Sequence, residues 1–424
     1  MRRSRRDGSA LEILEISEPK MNLSDIKEKL NFDEKFDKMH RRLKKNSLLA
    51  WYYDMFAEDL YFEDVPKEVV ISSYFKEDFW FRRRDDLHIR SSRISQCSKY
   101  WSGDYYPLQG VKDLQKVNLC HDRFCDNCQN TLAVQRSDKY SPLLMKLTDD
   151  FDIYHVILTV PNVELMHLTS ALDRMFKAYK KLCQYLDGRK LIHNVDYSVA
   201  GYKGSIRALE ITKNPNTNKF HPHFHCLFLC EKGTKICNIR PHVNIYSFRK
   251  NNAHIPRGKS ASNEPQRFFS DFEILLQKTW RLLYDGIEVN YSNLDELKVG
   301  YSCMMSNARG RYKEVFKYAT KGLLSSDPNK DPKENYSDFV LLFVALYRRR
   351  LIQGYGCLYR LNFEKNIDLS VDDMYLDILK TLHSLETPIA FYENLDEIHK
   401  NIQLDKNITY ISRKKIAQLG AKDE

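Results

Sequence analysis

The sequence has no apolar run long enough to span a bilayer. A membrane helix needs about 20 apolar residues, and the longest such stretch, FVLLFVALY at 339–347, stops at Arg348, Arg349 and Arg350. The basic start MRRSRRDGSA is followed by no apolar segment of the kind that directs export. Neither membrane insertion nor secretion is therefore expected, and a cytoplasmic protein is. Internal repeats and low-complexity tracts are also missing, which favours ordinary packed units. Acidic residues are absent from 232–263, where seven basic ones stand: Lys232, Lys235, Arg240, Arg249, Lys250, Arg257 and Lys259. Histidine numbers only 13 in 424 residues, so a dense local cluster of it asks for a reason.

What is there begins with size and charge. A chain of 424 residues can bury a sizeable core and should hold two or three structural units. Its 67 Lys and Arg against 57 Asp and Glu give a formal net charge of +10, which favours a polyanionic partner. Composition divides the chain into an N-terminal extension at 1–95, a cysteine-rich element at 96–150, a main domain at 151–362 with the basic insertion at 232–263, and a tail at 363–424. The extension is charged and aromatic with helical patterning and no evident chemistry. The tail is acidic: from Glu364 to Lys400, nine acids against three bases leave a net −6. In the insertion Tyr246 and Phe248 stand among the cations. That mixture fits a solvated loop and also a single nucleic-acid strand, with cations on phosphates and rings under bases. Arg249, Lys250, Arg257 and Lys259 are the candidate contacts.

Four of the ten cysteines fall as Cys97, Cys120, Cys125 and Cys128, in CSKYW and VNLCHDRFCDNCQ. In a reducing compartment such clusters are thiolate metal ligands more often than disulfides, and tetrahedral Zn²⁺ takes four of them. The CDNC pair is the stronger half of the signal. His121 is an alternative to Cys97 or Cys120.

Histidine concentrates in KFHPHFHCLFL at 219–229, where His221, His223 and His225 recur at every second position. In a strand alternate side chains share a face, so the three imidazoles project together as a natural metal-ligand set. The segment GSIRALEITKNPNTNKFHPHFHCLFLC reads as strand, polar turn and strand, a hairpin with Glu210 on one arm and the histidines on the other. Upstream, FDIYHVILTVPNV (151–163) reads as a buried strand, and Leu165, Leu168, Leu172, Phe176, Tyr179, Leu182 and Leu186 mark an amphipathic helix. Downstream, NARGRYKEVFKYATKGLL (307–324) has helical spacing, with Asn307 available as its cap. On such a helix Glu314, Tyr318 and Lys321 share one face, and a tyrosine beside a cation and a metal-polarised phosphate can act as a nucleophile.

Taken together these motifs resemble a family. HPHFHCLFL looks like the histidine-hydrophobe-histidine motif of HUH endonucleases, and EVFKYATK (314–321) resembles the tyrosine motif of replication initiators from small rolling-circle plasmids. YHVILTVPNV (154–163) is similar to their first motif, CHDRFCDNC recurs in many members, and YRRRLIQGYG (347–356) loosely matches an arginine and glycine-rich segment that follows the tyrosine helix. The resemblance covers roughly residues 95–360.

It implies an α+β fold of the HUH-endonuclease, RRM or ferredoxin-like type: an antiparallel sheet with the histidine strand central and helices on one face, plus a four-cysteine zinc element and helical extensions at both ends. It further implies that 151–362 is the nuclease and DNA-binding domain. His223 and His225 match the ligands of one divalent ion, Mn²⁺ or Mg²⁺, with Glu210 as third ligand and His221 as competitor, at a site expected to be exposed. Tyr318 is the implied nucleophile, leaving a 5′-phosphotyrosine and a free 3′-hydroxyl primer, with Glu314 as base for termination, Lys321 as a further catalytic residue and Lys317 among the DNA contacts. Tyr312 lies about 120° around a helix from Tyr318 and does not serve as a second nucleophile. The implied partners are plasmid origin DNA, single-stranded or extruded, with a host helicase and polymerase in a bacterial cytoplasm. A relaxase, a single-strand DNA transposase, or a non-catalytic zinc-bearing DNA-binding regulator are the alternatives.

Overall fold

The computed structural model describes residues 32–65, 76–214, 216–217, 219–234, 236, 270–298, 303–308, 310–312, 315–316, 332–359, 373–394 and 409–411. Among these, the organising element is a five-stranded sheet. Its strands in chain order are β3 (Phe151–Thr159), β4 (Tyr202–Lys213), β5 (Phe220–Glu231), β6 (Cys303–Asn307) and β7 (Ile352–Gly356). Across the sheet they lie β6-β3-β5-β4-β7, and every neighbouring pair is antiparallel. The histidine strand β5 is thus central, and the expected α+β class with an antiparallel sheet is what the chain adopts.

β4 and β5 form a hairpin because a polar turn separates two runs of β-formers. Asn214 closes that turn, its Oδ1 accepting from the amides of Asn216 (2.9 Å) and Thr217 (3.3 Å). Alternation then divides β5 between two cores. Phe224, Cys226, Phe228 and Cys230 enter the larger core, while Leu227 and Leu229, in line with the histidines, enter a smaller one.

Helices α5 (Leu168–Leu186) and α6 (Asp271–Asp285) cover the Phe224 face. α5 starts three residues after Leu165, which opens a short 3-10 turn, and buries Leu168, Leu172, Met175, Tyr179, Leu182 and Leu186 along one stripe. α6 is capped by Ser270, whose Oγ accepts from the Glu273 amide at 3.0 Å, and ends at Gly286 in left-handed conformation. Trp280 of α6 donates to the Thr159 carbonyl at 2.7 Å, and the buried Glu273 carboxylate accepts from the Met305 amide at 2.8 Å. Those two bonds fasten the β3 and β6 edge of the sheet to the helix layer. The opposite face is not bare: Tyr140 and Leu144 of α4 (Asp126–Leu147) join Ile153, Leu227, Leu229, Tyr312, Val315 and Phe316 there.

The apolar run from Phe339 lies in α8 (Pro332–Leu346) up to Leu346, and that part is apolar nearly all round where the helix is buried nearly all round. α1 (Phe32–Phe62) packs on it: Tyr52 stacks on Phe339 at 5.4 Å, and Tyr53 and Phe56 meet Phe343 at 5.4 and 6.1 Å. Trp80 of the short α2 (Glu77–Phe81) adds a further ring on Phe343, and α3 (Arg84–Ser95) lies against α1, with His88 Nδ1 2.9 Å from Asp54. No helix among the described residues is long and apolar enough to cross a membrane.

A second sheet has the order β8-β1-β2-β9. The hairpin of β1 (Tyr100–Tyr106) and β2 (Val111–Val117) is flanked by β8 (Ile389–Asn394) and β9 (Thr409–Ile411), so segments of the acidic C-terminal region pair with the cysteine-rich element. α9 (Asp373–Leu385) leads into β8, and Glu386 just beyond it accepts from the Leu108 and Gln109 amides, both at 3.0 Å. A short α7 (Tyr291–Glu296) completes the described helices.

One element departs from the sequence reading. Asn307 is the last residue of β6, paired with Tyr154, and does not cap a helix. Beyond it the Ala308 amide donates to the Ile153 carbonyl at 2.9 Å, Gly310 has φ +79°, and helical conformation is described only at Val315 and Phe316. At Asn307 local helical spacing loses to sheet pairing, because β3 offers Met304–Asn307 a full ladder of backbone partners.

Candidate metal centre

Register decides which side chains meet. Glu210 of β4 stands directly opposite His223 of β5, and Ala208 opposite His225. Cross-strand neighbours on one face have Cβ atoms about 5 Å apart, so a carboxylate at 210 reaches both imidazoles. Glu210 Oε2 lies 2.7 Å from His223 Nε2 and 2.9 Å from His225 Nε2. One carboxylate oxygen and two Nε2 atoms converge within 4.8 Å of one another. The small Ala208 leaves room beside His225 on that face.

Contrary to the exposed site expected, Glu210 and His225 are only 3% and 4% exposed, and His223 9%. The central strand is covered on both faces along most of its length, which removes water from the donors and raises the penalty for leaving any of them uncompensated. His221 takes no part in this set. Its ring is 5.0 Å from that of His223, half-buried, opposite Thr212, and burial together with the neighbouring His223 pushes its imidazole below the ordinary histidine range. The mixed imidazole and carboxylate donor set fits a divalent cation of intermediate hardness.

A residue absent from the sequence reading joins the site. His155 of β3 faces His225 from the other side, with Nε2 3.1 Å from His225 Nδ1 and the rings nearly parallel at 5.3 Å. The signal was present in FDIYHVILT, where His155 alternates with Ile153 and Ile157, but only the β3–β5 register, Ile157 opposite His225, assigns it a partner.

The second cluster is the cysteine unit. Cys125 precedes α4 and Cys128 lies in its first turn, while Cys97 follows α3 and Cys120 follows β2. All four Sγ atoms lie within 4.8 Å of one another, with Cys97 3.6 Å from Cys125 and 3.5 Å from Cys128, and Cys120 3.5 Å from Cys128. Four sulfurs each about 2.3 Å from a tetrahedral centre would be about 3.8 Å apart, so the cluster fits a zinc site made of four cysteines. His121, the alternative ligand, is outside it. Its left-handed backbone, φ +57°, turns the chain so that its amide points to Cys128 Sγ at 3.2 Å. Cys125 stands at the N-terminus of α4, where the helix dipole favours an anionic ligand.

Tyr318, Glu314, Lys317, Lys321, Arg249, Lys250, Arg257 and Lys259 lie outside the described residues. Of the residues shortly before Tyr318, Tyr312, Val315 and Phe316 are described, and they pack on the same sheet face as Leu227 and Leu229, in line with the histidines.

Comparison with known proteins agrees with the motifs. Residues 111–234, which span β2 to the end of β5, match the family model described as Replication protein. That segment of the chain is similar to a replication-protein domain. Over 309 residues, 70% of this chain and 87% of the relative, the chain is 25% identical to a Protein rep of Bacillus sp. Over 143 residues, 33% of this chain and 57% of the relative, it is 32% identical to a Protein rep of Staphylococcus aureus. A Protein rep of Bacillus amyloliquefaciens is 29% identical over 140 residues, 32% of this chain and 38% of that protein. No solved structure matches the chain. The resemblance to plasmid Rep initiators and these matches coincide, and the replication-protein match contains Glu210, His223, His225 and His155.

Proposed function

We propose that this chain initiates rolling-circle replication of a plasmid by nicking single-stranded origin DNA through Tyr318. The hydroxyl oxygen attacks a phosphodiester and bonds to phosphorus as the 3′ oxygen leaves. The tyrosine gives up its proton, the departing oxygen gains one, and the products are a 5′-phosphotyrosine and a 3′-hydroxyl that a host polymerase extends behind a host helicase. The observation that supports this most is the convergence of Glu210, His223 and His225 on the sheet face where the chain leading to Tyr318 also packs. A divalent ion held by those three would polarise the scissile phosphate, with Mn²⁺ suited by the donor set and Mg²⁺ by abundance. Glu314 is the general base that activates water for release, and Lys321 and Lys317, with Arg249, Lys250, Arg257 and Lys259, meet the phosphates. The four cysteines hold a structural Zn²⁺.

A relaxase or transposase would share this chemistry, and the matches to replication proteins favour the initiator. A regulator without catalysis would bind and not cut. Incubation with Mn²⁺ and an origin oligonucleotide separates a catalytic protein from the regulator: a denaturation-resistant adduct at Tyr318, absent in Tyr318→Phe, is expected. Specific binding with no adduct in the parent protein would leave the regulator.

A further inference from the structure

We propose that His155 is a positioning residue that holds His225 in the tautomer needed to bind the metal, an inference that rests on the metal site proposed above. The β3–β5 register brings His155 Nε2 to 3.1 Å from His225 Nδ1, and the near-parallel rings, 12° between planes, keep the two nitrogens in line. His225 uses its other nitrogen, Nε2, toward Glu210 at 2.9 Å. An imidazole ligates through a nitrogen that carries no proton, so neutral His225 must then carry its proton on Nδ1. That N–H points at His155 Nε2, which accepts it while the proton of His155 sits on its own Nδ1.

With the metal absent the arrangement reverses. Glu210 Oε2 accepts from His225 Nε2–H, Nδ1 becomes an acceptor, and His155 Nε2–H donates to it. Between the two states each ring moves one proton between its own nitrogens, with no net gain or loss. Backbone carbonyls and carboxylates are the usual outer partners of metal-bound histidines, and both only accept. An imidazole can accept or donate, so His155 keeps His225 hydrogen-bonded and oriented before as well as after the ion binds. His223 is held differently, its Nδ1 lying 3.1 Å from the His221 carbonyl oxygen, a fixed acceptor.

The test uses the full chain and Mn²⁺ alone, with affinity followed by electron paramagnetic resonance at neutral pH. Loss of an outer partner typically weakens metal binding about 10–100-fold, and that loss is expected for His155→Ala with unchanged thermal unfolding and zinc content. His155→Gln offers an amide oxygen that accepts and an amide nitrogen that donates, so it should bind within a few-fold of the parent. His155→Leu, of similar bulk and unable to hydrogen-bond, should behave like the alanine variant, which separates the hydrogen bond from packing. His225→Ala is the control for the site itself. If His225→Ala loses Mn²⁺ while His155→Ala and His155→Leu bind it as the parent does, the positioning role is wrong and the metal site stands. Should His225→Ala bind like the parent, the site falls, and the inference with it.

Discussion

At the scale of single residues, one oxygen atom organises the site. Glu210 Oε2 meets two imidazoles, and both are buried with it. Replacing His225 by Ala removes one of those bonds from a buried acid, so we predict a stability loss of about 1–3 kcal/mol, read by urea unfolding, in addition to lost Mn²⁺ binding. His223→Ala should act alike, whereas His221→Ala, outside the converging set, should keep most Mn²⁺ affinity and nicking. A His221→Ala protein as inactive as His225→Ala would reassign the third ligand. The nucleophile separates from the base in the same way. Glu314→Ala should still form the Tyr318 adduct but accumulate it, because water is no longer activated for release. Gel assays that show release at the parent rate would remove Glu314 from that role.

At the scale of elements, the outer strand β7 owes its place to glycines. Gly204 of β4 is paired with Gly356 of β7. A Cβ at 204 would come within 2.6 Å of the Tyr355 carbonyl oxygen, and one at 356, where φ is +60°, would strike the Lys203 carbonyl oxygen. Gly356→Ala therefore combines backbone strain with a collision and should destabilise the protein by about 1–3 kcal/mol, measured by thermal or urea unfolding. β4 also carries Glu210, so this variant should weaken Mn²⁺ binding as well if the loosened pairing reaches the site. The cysteine unit is the second such element. Cys125→Ser removes one of four clustered sulfurs, the other three buried or half-buried, and if the cluster holds structural zinc, which contributes folding energy directly, the variant should lose both zinc and cooperative melting. Reduced, DNA-nicking parent protein that contains no zinc by metal analysis would refute that assignment.

At the scale of the whole molecule, the N-terminal helices share a core with the segment that matches the replication-protein model. α8 presents Phe339 and Phe343 to Tyr52, Tyr53 and Phe56 of α1, and Tyr53 donates to the buried Asp122 at 3.0 Å, next to the cysteine unit. Arg90 of α3 reaches the same carboxylate at 3.0 Å, and Asp122 also accepts from the Phe124 amide at 2.9 Å. A chain lacking residues 1–95 would expose that apolar face, and the loop from Cys120 to Cys128 would lose the support of Tyr53 and Arg90. We predict that it is recovered mainly as aggregate, assayed by size-exclusion chromatography. A monodisperse, zinc-containing truncated protein would mean that the shared core contributes little.

The sequence alone determined the elements whose periodicity is local: the amphipathic stripe of α5, the β4–β5 hairpin about its polar turn, and the alternation that gives His221, His223 and His225 one face. It also brought together the four cysteines, because soft ligands in close pairs carry their own chemistry. Tertiary structure decided what depends on register between strands. The hairpin offset sets Glu210 opposite His223 and within reach of His225, leaving its competitor His221 outside, and only the offset of β3, a strand distant in sequence, brings His155 to His225. Asn307 shows the same rule from the other side. Its local pattern suits a helix cap, but backbone groups of β3 stand ready to pair, and a ladder of hydrogen bonds outweighs one capping side chain. A one-residue slip in any of these strands would turn every donor to the opposite face, so the identity of the candidate site is fixed by pairing, a property no single segment carries.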